Sequence, residues 1–118
     1  LEIALRRAGK RFSYPVFELT LEATGCFGAD NAFVAIADEA SSQWINGLRN
    51  ALADAQEPFG LTCKRGSAIS HLTLGYSAQL PAKRVPIPPI RFRVKAVDLV
   101  ISHTSHTKHS HLDRWELQ

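Results

Sequence analysis

The chain reads as an α+β protein, antiparallel sheets with flanking helices, and three stretches of sequence predict it. Phe17, Leu19, Leu21 and Ala23 alternate with Glu18, Thr20, Glu22 and Thr24, the period-two pattern of a half-buried antiparallel strand. Trp44, Leu48, Ala51, Leu52 and Ala55 recur at helical spacing and make one apolar stripe. Ser70-His71-Leu72-Thr73-Leu74-Gly75-Tyr76 alternates again and reads as a second strand.

The remaining elements follow in order. Leu1, Ala4, Leu5 and Ala8 lie at helical spacing, with Gly9 as the stop. Gly25 to Asn31 carries turn residues, and Ala32 to Ala37 is a short apolar run, so β-hairpin pairing with the strand before it is expected. Ser41 or Ser42 caps the next helix, and Pro58 and Gly60 end it. Leu61 to Lys64 is read as a short strand, followed by a turn at Gly66. Pro81, Pro86, Pro88 and Pro89 predict a stiff extended connection over 80–89. Ile90, Phe92 and Val94 sit on one phase and Val97, Leu99 and Ile101 on the other, which calls for a bend near Ala96. Ser102 to Ser110 is polar and loop-like, and Leu112 to Leu117 closes the chain as a strand.

Composition sets bounds. At 118 residues the chain is one domain or most of one. No apolar run approaches the roughly 20 residues of a membrane span. Cys26 and Cys63 show no metal spacing; two buried free thiols in a reducing cytoplasm are expected rather than a disulfide. The net charge of +3 is mild, but the cations cluster: Arg6, Arg7, Lys10 and Arg11; Lys64 and Arg65; Lys83, Arg84, Arg91, Arg93 and Lys95. Such groups favour a phosphate-rich ligand, although each cluster taken alone reads as a solvated face. Lys64 and Arg65 carry more weight because they precede His71.

His71 and Thr73, two apart on a strand, share a face, while Leu72, Leu74 and Tyr76 point the other way and are expected to anchor the strand in the core. An imidazole moves a proton near neutral pH, and a hydroxyl donates to a phosphoryl oxygen. The pair suits phosphodiester chemistry, and His-x-Thr occurs once in the chain. His103, His106, His109 and His111 invite a metal reading. Their spacings of three, three and two suit no single strand or helix face, and Asp113 is the one acidic neighbour, so no metal site is expected.

His71-x-Thr73-Leu74 resembles the signature of the two-histidine phosphoesterases, whose best-known branch is the 2′-5′ RNA ligase or RNA 2′,3′-cyclic phosphodiesterase family. Phe17-Glu18-Leu19-Thr20-Leu21 leading to Thr24-Gly25-Cys26-Phe27 is similar to that family's strand and Gly-x-Phe turn. Trp44 to Ala55 is similar to its central helix. Pro89 to Val94, Val97 to Ser102 and His109 to Leu117 are similar to its later strands. The likeness runs in order from about residue 12 to the end. Family members carry two His-x-Thr motifs, and this one stands in the place of the second. With no Met and a start at Leu1, the chain is read as the C-terminal portion of a longer protein, 1–118 being part of a single two-lobed domain. No residue here takes the first motif's role. His103-Thr104-Ser105 has a related pattern but lies in the loop-like stretch.

The resemblance implies an enzyme that needs no metal or cofactor and acts on 2′,3′-cyclic phosphates or 2′-5′ linkages of RNA ends by histidine acid–base chemistry. The alternative is a non-catalytic RNA- or nucleotide-binding module on the same fold. His71 and Thr73 are the catalytic candidates. Lys64, Arg65, Phe27 and His109 are the substrate-binding candidates, Phe27 as a base-stacking ring and His109 as a residue lining or bracing the site. Tyr76 and Trp44 are assigned to the core. The expected partners are RNA or a cyclic nucleotide in the cytoplasm, with no membrane. The chain is expected to associate with its missing N-terminal part or with a second copy.

Overall fold

The computed structural model describes residues 1–27, 32–63, 65, 70–76, 83–103 and 108–118. Helix α1 spans Glu2–Arg11, strand β1 Phe17–Phe27, β2 Ala32–Ala37, helix α2 Glu39–Gln56, a 3₁₀ turn Glu57–Phe59, β3 His71–Tyr76, β4 Val85–Val94, β5 Ala96–His103 and β6 Lys108–Glu116. The fold is α+β. One sheet has the order β3-β2-β1-β4, and β5 and β6 pair separately. None of the described helices is long and apolar enough to cross a membrane. The chain divides into two compact units.

The unit holding Glu18–Asn46 and Ser67–Arg93 contains most of the larger sheet. The hairpin of β1 and β2 forms as the sequence predicts, with Phe27 paired to Ala32 and Leu21 to Ala37. A register shift between Leu21 and Ala23 breaks the ladder. Leu21 therefore faces the side of Ala37, whereas Ala23 and Phe27 face the side of Ile36, Val34 and Ala32. Unbroken alternation in the sequence concealed the bulge, because residues on either side of it are buried against opposite faces. This explains why Val34, Ala35, Ile36 and Ala37 are all buried in β2.

Helix α2 begins two residues before the first serine proposed as its cap. Asp38 caps it: its Oδ1 accepts the Ser41 amide at 2.8 Å. Ser41 is instead a buried tie, its hydroxyl accepting the Thr20 amide of β1 at 2.8 Å. Ser42 accepts the Ser70 amide at 3.4 Å, just ahead of β3. Two further expectations are corrected. Pro86, Pro88 and Pro89 lie within strand β4, which is an edge strand of its sheet, the position in a sheet where prolines are found. Trp44 is not core but 43% exposed.

The other unit holds Leu1–Phe17, Gly47–Gly66 and Val94–Gln118. Gly9 does not stop α1; it lies inside the helix, where the Trp115 ring occupies the space a Cβ would take. Gly60 does supply a stop, in the left-handed conformation at φ 77° that closes the 3₁₀ turn. β4 ends at Val94 and β5 begins at Ala96, so the strand is interrupted at Lys95, beside the change of phase in the sequence. In β5–β6 the register shifts between Leu99 and Val100, so Leu112 is the extra residue. Arg6 donates to the Leu112 carbonyl at 3.3 Å and to Asp113 at 2.9 Å, fixing the bulge to α1. Residues 61–63 form no strand, and Lys64 lies outside the described residues. Cys26 and Cys63 are free thiols, half-buried rather than buried.

Candidate active site

Strand β3 is the edge strand beside β2, and its register decides which side chains meet. His71 pairs with Ile36, Thr73 with Val34, Gly75 with Phe33 and Tyr76 with Ala32. Ala32, Val34 and Ile36 share one face by period two. His71 and Thr73 therefore stand on that face together, as their spacing predicts, and both are exposed.

Tyr76 joins them. A register shift between Phe33 and Val34 makes Leu74 an extra residue, and the bulge carries Tyr76 round to the His71 side. A regular strand would place it on the opposite face, which is where the alternation of the sequence put it. The signal for the correction is Gly75, since a lone glycine within a strand pattern marks a bulge. Tyr76 is 71% exposed and so does no core packing. Leu72 and Leu74, expected to anchor the strand, are likewise more than half exposed.

The site's foundation is an apolar row beside these polar groups. Ala23, Val34 and Ile36 are buried together, with Phe27 and Ala32 packed against them. The Phe27 ring meets the His71 imidazole edge-to-face, with centroids 4.8 Å apart and planes at 74°. Phe27 and His71, chosen separately from the sequence, are thus brought together. The contact limits the imidazole's rotation without burying it. The strand start is set by two backbone ties: Ala37 donates to the Ser70 carbonyl at 2.9 Å, and Ser70 donates to the Ser42 hydroxyl.

The other candidates lie elsewhere. Arg65 belongs to the other unit, where Asp54 at 2.6 Å and Glu57 at 3.1 Å hold its guanidinium and raise its pKa, the hydrogen bond from Asp54 being the main cause. His109 is on β6, paired with Ser102 in that same unit. Lys64 and His106 fall outside the described residues. Several cations of the basic clusters are also paired: Arg84 with Glu22 at 2.8 Å, Arg91 with Glu18 at 4.0 Å and Arg6 with Asp113. Asp98 takes a two-pronged bond from Arg114, at 2.7 and 3.1 Å, with His111 at 3.5 Å. These bonds, Arg114 first, hold the Asp98 carboxyl below its usual range. Among the described residues no group of three or more His, Cys, Asp or Glu is placed to hold a metal.

His-x-Thr on an exposed strand face of an α+β chain is the arrangement expected of a two-histidine phosphoesterase. The pattern of the 2′-5′ RNA ligase superfamily matches residues 2–106, and the chain belongs to that superfamily. No curated protein matches it. Its fold is similar to that of E. coli LigT crystallised with 3′-AMP, at a TM-score of 0.67 and 22% identity over 98% of this chain and 68% of that one. LigT with NADP+ gives 0.67 and 24% over 98% and 67%. A crystal structure described as a phosphoesterase gives 0.65 and 22% over 98% and 68%.

Proposed function

We propose that this chain carries one half of a phosphodiesterase centre that opens 2′,3′-cyclic phosphates, or 2′-5′ linkages, at RNA ends. The observation that carries the reading is the common exposed face of His71 and Thr73, in a member of the 2′-5′ RNA ligase superfamily. Nucleotide complexes of a similar fold, LigT with 3′-AMP and with NADP+, support a nucleotide ligand.

In hydrolysis one imidazole takes a proton from water, and the water oxygen bonds to phosphorus. The bond from phosphorus to a ribose oxygen breaks, and a second, protonated imidazole gives that oxygen its proton. His71 fills one of these two roles. Thr73 donates its hydroxyl to a phosphoryl oxygen as charge gathers there. His71-x-Thr73 is the one His-x-Thr in residues 1–118, and the mechanism calls for a second imidazole besides it. Ligation follows the same course with a ribose hydroxyl in place of water: its oxygen bonds to phosphorus, the cyclic bond from phosphorus to a ribose oxygen breaks, and that oxygen takes the acid's proton, so no nucleoside triphosphate is consumed. A cytoplasmic setting fits this substrate and the free thiols.

Thr73→Val keeps the shape of the side chain and removes its donor. Turnover of a 2′,3′-cyclic nucleotide by the intact protein should fall about 10- to 100-fold, the scale of a hydrogen bond to a charged oxygen. Unchanged turnover would remove Thr73 from the mechanism. Loss of turnover on adding EDTA would replace the two-imidazole reading with a metal-dependent one.

A further inference from the structure

We propose that the cavity between α1, α2 and the β5–β6 pair takes up one small, neutral, apolar ring compound of the size of benzene. Every residue lining it belongs to the second of the two units described above, whereas His71 lies in the first. The proposal therefore stands or falls separately from the phosphodiesterase reading.

The cavity has a volume of about 170 Å³ and is walled by Leu5 and Ala8 from α1, Leu52 and Ala55 from α2, Val97 from β5 and Trp115 from β6. Its origin lies in the packing of one ring. The Trp115 indole occupies the place of a side chain at Gly9, which draws it close against α1. Beside that contact the two helices offer the short side chains of Ala8 and Ala55, and these leave the space next to the ring unfilled. A void between packed elements forgoes dispersion contacts along its wall, and a molecule that fits restores them. Size decides which molecule: an apolar cavity of ~150 Å³ stays dry and takes up benzene. An aromatic guest also gains an edge-to-face or offset contact with the Trp115 ring. The two polar residues on the wall argue against a charged guest. The Asp98 carboxylate is already held by Arg114 at 2.7 and 3.1 Å, and Gln56 Oε1 already accepts the Cys63 thiol at 2.9 Å. A carboxylate entering beside them would give up its water and face the Asp98 charge; a neutral ring does neither.

The test is titration of the intact protein with benzene, followed through the indole N–H signals of Trp115 and Trp44 in its NMR spectrum. Trp44 lines no part of the cavity and is the internal control. The Trp115 signal should shift along a saturating curve while the Trp44 signal stays, and benzoate at the same concentrations should move neither. Benzene should also raise the thermal midpoint of the natural protein, since it binds the folded state alone. Ala55→Leu, which extends a side chain into the space, should lose both responses. Should that variant not fold, Val97→Phe, which fills the space from β5, takes its place. A Trp115 signal indifferent to benzene, a shift shared by both indoles, an equal response to benzoate, or a response unchanged in the filled variant would overturn the proposal.

Discussion

Gly9 lies within α1 because the indole of Trp115 fills the place of a side chain. Alanine is the better helix former by about 1 kcal/mol, yet Gly9→Ala should destabilise the protein by about 1–3 kcal/mol, the usual cost of overpacking. Denaturant unfolding would register this as a lower midpoint at an unchanged slope, and a raised midpoint would contradict it. From the sequence the same glycine reads as a helix stop, since a packing glycine and a capping glycine look alike until their neighbours are known. Gly75 is the opposite case. Its place inside an alternating run marks a bulge, and taking the bulge seriously would have put Tyr76 on the His71 face. The common face of His71 and Thr73 was legible because it is carried by spacing alone, whereas Gly25, Cys26 and Phe27, read as the start of a turn, are the last residues of β1. The surroundings of Arg65 were not legible, because Asp54 and Glu57 reach it only once α2 and the 3₁₀ turn are formed.

At the scale of elements, α2 links the first turn of a helix to the strand that bears the motif. Asp38 caps the helix, Ser41 holds β1 and Ser42 holds the start of β3. Asp38→Ala should cost about 1 kcal/mol, the ordinary value of an N-cap. The Ser41 hydroxyl and then the Ser41 amide donate to the Asp38 carboxyl and hold its pKa below the ordinary 3.8, with Arg91 adding a smaller pull. A lowered folded value means stability that is present above pH 3.8 and lost as the pH falls through the folded value. Unfolding midpoints measured downward from pH 5 should therefore drop less in Asp38→Ala than in the natural protein, and parallel curves would contradict this. The hairpin and both helices could be read from periodicity. The cap was placed at Ser41 or Ser42 and missed Asp38, an equally good capping residue three positions earlier, and strand β4 was hidden because prolines mark loops and edge strands alike.

For the molecule as a whole, charge reads differently in three dimensions. The basic clusters suggest broad attraction for phosphate, but many of their arginines face carboxylates, and exposed pairs of this kind add little to stability. What marks the His71 face is local: two polar side chains and two aromatic rings standing on a buried apolar row. That arrangement, in a member of the 2′-5′ RNA ligase superfamily, is the basis for assigning acid–base chemistry to His71. The most direct measurement is turnover of a 2′,3′-cyclic nucleotide and of an RNA ending in a cyclic phosphate by the intact protein and its His71→Ala variant, in EDTA. Turnover that persists in EDTA and falls at least about a hundredfold in the variant is the expected result. Turnover indifferent to His71, or absent with both substrates, would contradict the account and leave a nucleotide-binding module in its place.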